Sequence, residues 1–422
     1  MFWLELADFD ALYCGIEIGQ IVKMSLDLSK LAAQVGGMVA RLGAGTEERN
    51  RRRQYALEIA GSEAIDLTEL KRKIAISRGK ITWLVADLMD GLSQGYEAPP
   101  PPPEFNILAT DGSHIDVDRH KSTRCYLINI GAAMLHYGAE PSAVLDSFPR
   151  LYAEDKDLVI VPARGREQLI EGTLLGIKRA VEECRQLAEL AAELPPDSPL
   201  LALVDGSLIL WGLEAYPDFV TGAMLGEGFL RHLEALKKLS KLRRLALASY
   251  ISFPRSTDVV NVLRLALCPY EPPDCDLNCP QGKEKECDKV AGVQDRELFF
   301  NLLSEGQRSP VFISQSSVVR KHYGEHQVCF SYIRLEDEVA RIEMPKWVAT
   351  DEALLNLVHS LVLDQCRRGL GYPVALSEAH ERAVITTADR ENFWQLVESL
   401  LVEERLPTLT SAKSQSKRTR WV

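Results

Sequence analysis

"ILATDGSHI" (Ile107–Ile115) and "LALVDGSLI" (Leu201–Ile209) each carry Asp-Gly-Ser directly behind an apolar run. An apolar run followed by Asp-Gly is typical of a buried strand that ends in a turn. If both strands belong to one sheet, Asp111 and Asp205 meet at one edge of it. Paired carboxylates repel each other unless a cation neutralises them, so the two motifs predict a site for Mg²⁺ or Mn²⁺. Taken singly, each motif is also a common turn, and that alternative stays open.

The composition of the 422 residues is that of an ordinary globular protein, with 46% apolar and 26% charged residues. A net charge of −11 argues against a nucleic-acid partner if the whole surface is considered. Local fields can differ from the total, and basic residues concentrate in residues 231–244 and 413–422. No apolar run is long enough for a membrane span, so we expect no membrane association.

The N-terminal quarter of the chain has the periodicity of helices and is followed by a proline-rich linker. Residues 1–23 have no signal-peptide pattern, and we interpret them either as translated leader before a true start at Met24 or as a frayed N-terminal extension. Residues 24–98 form a helical region in which Ser62–Leu92 predicts one long amphipathic helix. Five consecutive prolines within residues 99–104 predict an extended linker and a domain boundary.

Beyond the linker, strand and helix patterns are mixed up to residue 405, and a basic tail occupies residues 406–422. This mixture predicts an α/β fold, with a sheet of parallel and antiparallel strands flanked by helices. The N-terminal helical segment and a cysteine-rich insertion at residues 268–287 are additions to that fold. The predicted strands and helices of this part are strands at Phe105–Thr110, Tyr126–Met134, Leu200–Val204, Leu245–Ser252 and Ser309–Ser316, a hairpin within His326–Pro345, and helices at Arg164–Ala192, Asp351–Gly369 and Arg390–Val402.

Two further segments offer polar side chains for the same site. Between the aspartates, Arg179 and Glu183 lie four residues apart in a helix pattern, as an ion pair or as part of the site. Near the C-terminus, Tyr372 and His380 flank a short apolar stretch in "GYPVALSEAHERAVI". His380 is either a metal ligand or proton shuttle, or a packed residue at the start of a helix.

The order of these segments resembles the NurA nuclease family from Phe105 to about Glu403. The resemblance rests on "TDGSHID", "LVDGSLILW", "DRELFFNLL", "RSPVFISQSS", "FSYIRLEDEVARIEMPKWV" and "GYPVALSEAHERAVI", which follow one another in the family's order and spacing. It implies an RNase H-like core at residues 105–405, DNA as substrate, a homodimer, and a HerA-type hexameric ATPase as partner. It also implies dependence on a divalent metal, typically Mn²⁺, in the processing of DNA ends for double-strand break repair.

The resemblance also implies roles for five residues. Asp111 and Asp205 match the two metal-binding aspartates, and Glu183 matches the helix glutamate, although Glu182 and Glu171 lie close by. His380 matches the late histidine, which binds a metal or handles a proton, and Tyr372 matches the tyrosine before it. Catalysis by two metal ions suits these oxygen ligands, because such a pair activates water and stabilises the leaving oxygen.

The function implied is a 5′-to-3′ exonuclease with endonuclease activity, using Mn²⁺ or Mg²⁺. The alternative from another class is a catalytically inactive DNA-binding or ATPase-anchoring scaffold of the same fold. The intact Asp111, Asp205 and His380 favour the nuclease, because a scaffold has no need of them.

Four cysteines in a polar, proline-rich segment form a second candidate site. Cys268, Cys275, Cys279 and Cys287 are separated by six, three and seven residues. With no secretory signal, we expect a reducing, cytoplasmic location, where such a cluster predicts structural zinc or an iron–sulfur cluster. Free thiols, or a redox sensor that regulates DNA binding, are the alternatives.

Overall fold

The computed structural model describes residues 27–62, 65–118, 121, 123–279 and 285–406. The proposed leader and nearly all of the basic tail lie outside these ranges. The described residues divide into two compact units, on either side of residues 51 and 52. The five prolines lie within the second unit, and the division into domains that the sequence suggests stays a prediction.

The second unit is built on a mixed sheet to which nine strands contribute in the described ranges. Strands β5 and β6 form a separate two-stranded sheet. The strands are β1 (Asp87–Leu88), β2 (Phe105–Ile115), β3 (Tyr126–Tyr137), β4 (Ser142–Tyr152), β5 (Val159–Ile160), β6 (Gln168–Leu169), β7 (Leu200–Asp205), β8 (Leu245–Ile251), β9 (Phe312–Ile313), β10 (Val328–Arg334) and β11 (Val339–Pro345). Their spatial order is β1-β9-β10-β11-β8-β7-β2-β3-β4.

Five of these strands form the centre of the mixed sheet and one of its edges. Strands β2, β3 and β4 pair antiparallel, β7 lies parallel to β2 on the other side, and β8 lies parallel to β7. The parallel pair β2–β7 requires a crossover, which a long helix between the two strands provides. The remaining strands extend the sheet beyond β8 in antiparallel pairing. The predicted α/β fold with a mixed sheet is therefore confirmed.

Helices cover both faces of this sheet, because its central strands are apolar on both sides. Adjacent residues on β7, Leu201 and Ala202, enter different core clusters, as the two-residue period of a strand requires. The described helices are α1 (Leu28–Ala44), α2 (Thr46–Ala60), α3 (Leu67–Ser77), α4 (Asp155–Leu158), α5 (Thr173–Glu193), α6 (Asp218–Thr221), α7 (Arg231–Ser240), α8 (Asp258–Ala266), α9 (Cys275–Asn278), α10 (Asp295–Leu302), α11 (Ser317–His322), α12 (Lys346–Ala349), α13 (Glu352–Arg368), α14 (Val374–Ala383) and α15 (Thr387–Glu403). None of the helices in the described ranges is long and apolar enough to cross a membrane.

The long helix predicted over Ser62–Leu92 is wrong. Helix α3 ends at Ser77, and Gly79 follows with a φ of 76°, a conformation that interrupts a helix at little cost only in glycine. The apolar residues beyond it enter the core as an edge strand, since β1 pairs with β9. Buried Val85 and Leu88 belong to the core cluster that also contains residues of α8 and α10.

Other boundaries differ less. Strand β4 was not predicted, because it is a largely exposed edge strand and lacks alternating apolar residues. The segment before Thr173 is not part of helix α5, since Gly172 precedes the helix with a φ of 56°. The hairpin β10–β11 and helices α13 and α15 confirm the corresponding predictions.

Candidate active site

The two Asp-Gly-Ser motifs lie on the neighbouring parallel strands β2 and β7. Their parallel pairing ends at Thr110 and Val204, so Asp111 and Asp205 are the next residues on each strand. Asp205 is the last residue of β7, and Gly206 has a φ of 82°, which favours glycine. Strand β2 instead continues beyond Asp111 in pairing with β3. The predicted strand end is therefore right for the second motif and wrong for the first.

Helix α5 carries Glu183 to the edge of β2. The hydroxyl of Thr110 donates a hydrogen bond of 3.2 Å to the Glu183 carbonyl, which fixes this turn of the helix against the strand. A Cβ atom at Gly112 would lie 2.5 Å from Oε1 of Glu183. The first motif therefore has glycine because the Glu183 carboxylate lies against its backbone, and the second because the chain adopts a left-handed conformation there.

The segment around helix α14 brings the remaining two residues to the aspartates. The Tyr372 hydroxyl donates a hydrogen bond of 3.0 Å to Oδ1 of Asp205. His380 lies in the last turn of α14, not at a helix start, and its Nδ1 is 2.7 Å from Oδ2 of Asp111. Helix α14 can pack this closely because its backbone lies against Gly131 of β3, where a Cβ atom would collide with the Ala379 carbonyl. All five residues singled out from the sequence are thus brought together.

The electrostatics show that the three carboxylates share one environment. Burial raises the pKa of Glu183 to about 7; the nearby Arg179 opposes this shift, while Asp111 and Asp205 add to it. Burial also raises the pKa of Asp205, against the hydrogen bond from Tyr372, and Asp111 raises it further. A carboxylate that raises the pKa of its neighbour is close enough to repel it, and a bound cation would relieve that repulsion.

Of the three glutamates that the sequence offers, Glu183 is the one that faces the aspartates. Glu182 points elsewhere and contacts Lys178 and Arg185, each at 2.7 Å. Although burial by itself raises it, the pKa of Glu182 is held at about 2 by these two cations. Glu171 is exposed and precedes the helix.

A divalent cation fits the chemistry of this donor set. As the side chains stand, no group of three or more His, Cys, Asp or Glu residues in the described ranges could hold a metal ion. The carboxylates contact protein partners instead, and Arg179 Nε lies 3.0 Å from Oε1 of Glu183. That buried oxygen nevertheless lacks a hydrogen-bond donor of good geometry. Three carboxylates, one of them incompletely paired, together with an imidazole are ligands that Mn²⁺ and Mg²⁺ accept.

Glu343, which was not predicted from the sequence, holds the turn after Asp205. Its Oε2 accepts hydrogen bonds from the Ser207 hydroxyl at 2.8 Å and the Leu208 backbone N–H at 2.9 Å. Its Oε1 accepts one of 2.9 Å from Nε of Arg341, which is itself paired with Asp258 at 2.6 Å. Glu343 is 1% exposed, so a buried ion pair anchors the second motif. In a strand with alternating polarity, a charged residue predicts a side chain exposed to solvent, and no signal in the sequence indicates that Glu343 is buried.

The zinc or iron–sulfur site predicted at the cysteine cluster is not supported. All four thiols are free, and they form no group in the described ranges that could hold a metal ion. Cys275 interacts electrostatically with the other three, and burial raises the pKa of the Cys275 and Cys287 thiols.

A mixed sheet with three carboxylates converging at the end of its parallel β2–β7 pairing is a framework that suits a hydrolase. The family model of the NurA domain matches residues 105–385, and the chain therefore belongs to the NurA family. Membership supports a nuclease role in DNA repair. No curated protein matches the sequence.

Several solved structures are similar to the chain at low identity. A crystal structure of NurA with manganese is 11% identical, with a TM-score of 0.32, over 85% of this chain and 98% of that one. An Argonaute from Aquifex aeolicus is 12% identical, with a TM-score of 0.24, over 66% and 28% of the two chains. Drosophila Piwi is 10% identical, with a TM-score of 0.26, over 66% and 29%.

Proposed function

We propose that the chain is a DNA nuclease that depends on a divalent metal, Mn²⁺ or Mg²⁺. The observation that carries this proposal is the convergence of Asp111, Glu183 and Asp205 from β2, α5 and β7. These elements are fixed by the sheet and by the Thr110–Glu183 hydrogen bond, so the carboxylates meet without a flexible loop. Repulsion between carboxylates that are held rigidly together lowers the stability of the fold. A bound cation would remove this repulsion, so the arrangement favours a functional metal site.

Each residue of the site has a part in this proposal. The three carboxylates of Asp111, Glu183 and Asp205 would bind either one or two metal ions. Bound there, the metal supplies the stabilisation of phosphate charge and the activation of water that hydrolysis needs. His380, hydrogen-bonded to Asp111, would ligate the cation or move a proton, and Tyr372 would orient the Asp205 carboxylate or a phosphate oxygen.

The finer activity is proposed from family membership. We propose a 5′-to-3′ exonuclease with endonuclease activity that processes DNA ends in the cytoplasm for double-strand break repair. A HerA-type hexameric ATPase is the proposed partner. Labelling linear DNA at one 5′ end or one 3′ end distinguishes the two polarities, and adding the ATPase tests whether it stimulates degradation.

A homodimer is proposed as the active form, and helix α1 supports it. Five apolar residues of α1 alternate at three- and four-residue steps, and each is more than one-third exposed. This spacing is the a/d pattern of a helix that pairs with an identical copy. The five are Leu28, Leu31, Val35, Met38 and Leu42. Light scattering of the parent and of a Leu31→Glu, Met38→Glu variant tests the pairing. We expect twice the chain mass of 47.1 kDa for the parent and the mass of one chain for the variant.

The experiment that tests the proposed activity is degradation of labelled linear DNA with Mn²⁺, Mg²⁺ or EDTA. The parent is compared with Asp111→Ala and Asp205→Ala, and Glu182→Gln serves as the control. We expect metal-dependent degradation that both aspartate variants lose and the control retains. Activity that survives in both variants would place the chemistry elsewhere. An inactive parent, even with the ATPase, would favour the scaffold.

A further inference from the structure

A cavity of about 640 Å³ lies beside the candidate active site, and the site chemistry described above does not use it. Tyr372, whose hydroxyl contacts Asp205, forms part of its wall. The cavity therefore opens next to Asp205 of the candidate active site. Its volume is in the range of cavities that bind small organic groups.

Two exposed apolar residues line this cavity, and both follow from the sheet topology. In the pairing of β7 with β8, Asp205 lies opposite Tyr250, and Phe253 comes three residues later, past the end of β8. Leu370 lies two residues before Tyr372. The Tyr250 hydroxyl donates to Oε1 of Glu338 at 2.9 Å and lies 3.3 Å from the Gly371 carbonyl, so the two loops lie side by side.

The backbone holds both side chains in unusual positions. Phe253 has a φ of 48° and Leu370 a φ of 54°, a region that bulky residues seldom adopt. Leu370 is 100% exposed and Phe253 is 59% exposed, although both are apolar. The Arg296 guanidinium lies 3.4 Å from the Phe253 ring centroid and supports the ring. Such strained, exposed apolar groups beside a site indicate contact with a ligand rather than with the protein core.

The charge of the cavity selects the part of a nucleotide that enters it. Four carboxylates line it, from Glu305, Glu336, Asp337 and Glu338, opposed by one cation, Arg367. Carboxylates repel phosphate but accept hydrogen bonds from the amino groups of nucleobases. The apolar faces of a base match Phe253 and Leu370, whereas the sugar–phosphate does not.

We propose that this cavity is a nucleobase subsite, in which the base next to the scissile phosphate leaves its stack and packs against Phe253 and Leu370. The carboxylates of the cavity accept hydrogen bonds from the amino group of the base. The proposal rests on the proposed nuclease function. Any base can stack on an aromatic ring, so the subsite should require a base at this position but show little preference for its identity.

The test compares an intact single strand with strands that carry one abasic nucleotide at successive positions. We expect the parent to cleave the bond beside the abasic position about tenfold more slowly, as loss of one stacking contact predicts. The Phe253→Ala, Leu370→Ala variant should cleave the intact strand as slowly as the parent cleaves the abasic one. Leu242→Ala is the matched control, because Leu242 is 81% exposed and precedes β8 at its other end.

A binding measurement in EDTA separates this proposal from the nuclease proposal. A strand with one 2-aminopurine should gain fluorescence when that base leaves its stack for the subsite, and the double variant should abolish the gain. A parent that degrades DNA but treats intact and abasic strands alike, with unchanged fluorescence, overturns the subsite alone. A parent that does not degrade DNA overturns the nuclease, and the fluorescence then decides the subsite by itself.

Discussion

Nδ1 of His380 lies 2.7 Å from Oδ2 of Asp111, although 269 positions of sequence separate the two residues. The contact exists because α14 crosses β3 directly opposite Asp111, whose partner in the β2–β3 pairing is Gly131. No side chain at that position separates the helix backbone from the sheet. The geometry of the site therefore depends on a glycine that is not itself part of it.

Replacing Gly131 with alanine should displace α14. The added methyl group would collide with the Ala379 carbonyl and the Ala383 N–H, and overpacking of this kind costs about 1–3 kcal/mol. DNA cleavage should fall together with the free energy of unfolding, measured by urea denaturation. Gly176→Ala on α5 is the matched control, because nothing lies within 4 Å of the place its methyl group would take, and it should retain both. Full activity in Gly131→Ala would show that the approach of α14 is unimportant.

Glu183→Gln and the neighbouring Glu182→Gln should affect different properties, the first cleavage and the second stability. Glu183 faces both aspartates, so its loss should lower metal-dependent cleavage by at least about 100-fold. Glu182 contacts Lys178 and Arg185 instead, so its change should lower stability while cleavage persists. Initial rates at saturating Mn²⁺ make the comparison. Equal losses in both variants would mean that the helix, not the Glu183 carboxylate, matters.

Glu343→Gln should loosen the turn after Asp205. An amide has a single accepting oxygen, so its NH₂ would face either Nε of Arg341 or the two donors of Ser207 and Leu208, at a cost of about 1–3 kcal/mol. We expect a higher Mn²⁺ requirement for cleavage, with KM for DNA unchanged, and recovery at high Mn²⁺. Ser207→Ala, which removes one of these bonds, should show a smaller change. A loss of stability with no change in the Mn²⁺ requirement would limit Glu343 to a structural part.

The stability of the protein should decrease in acid partly through His359. Burial lowers the pKa of this imidazole to about 4 from its ordinary 6.5, and its Nε2 lies 2.9 Å from the Gly306 carbonyl. The contribution of the neutral ring is complete above pH 6.5 and is lost as the pH falls towards 4. Between pH 7.5 and pH 5 it amounts to about 2 kcal/mol. Urea denaturation of the parent and of His359→Gln at both pH values should show that much less pH dependence in the variant.

The central site could be predicted largely from local sequence. Buried strands followed by Asp-Gly are strong short-range signals, and the two motifs gave Asp111 and Asp205 a shared edge before the topology was known. Identifying Glu183 required a choice among neighbouring glutamates. Which of them faces the aspartates depends on how α5 is rotated against β2. That rotation is set by packing and by the Thr110 contact, so the sequence alone left Glu182 open.

The rest depended on tertiary context. The apolar residues of Val85–Leu92 suit a helix as well as an edge strand, and only pairing with β9 decides between them. Edge strand β4 buries too few side chains to produce a recognisable alternation of apolar and polar residues. Glu343 lies on a strand whose seven residues are all buried, where a charge is tolerated only because Arg341 and the turn after Asp205 meet it there. Pairwise contacts of this kind leave no trace in periodicity.

The most direct test of the central claim is Mn²⁺ binding, followed by the loss of the free-ion signal in electron paramagnetic resonance. If Asp111, Glu183 and Asp205 form one cation site, the parent should bind Mn²⁺, and Asp111→Asn and Asp205→Asn should each abolish binding while the fold persists. If both variants bind Mn²⁺ as the parent does, the carboxylates at the ends of the β2–β7 pairing are not a metal centre, and the account is wrong.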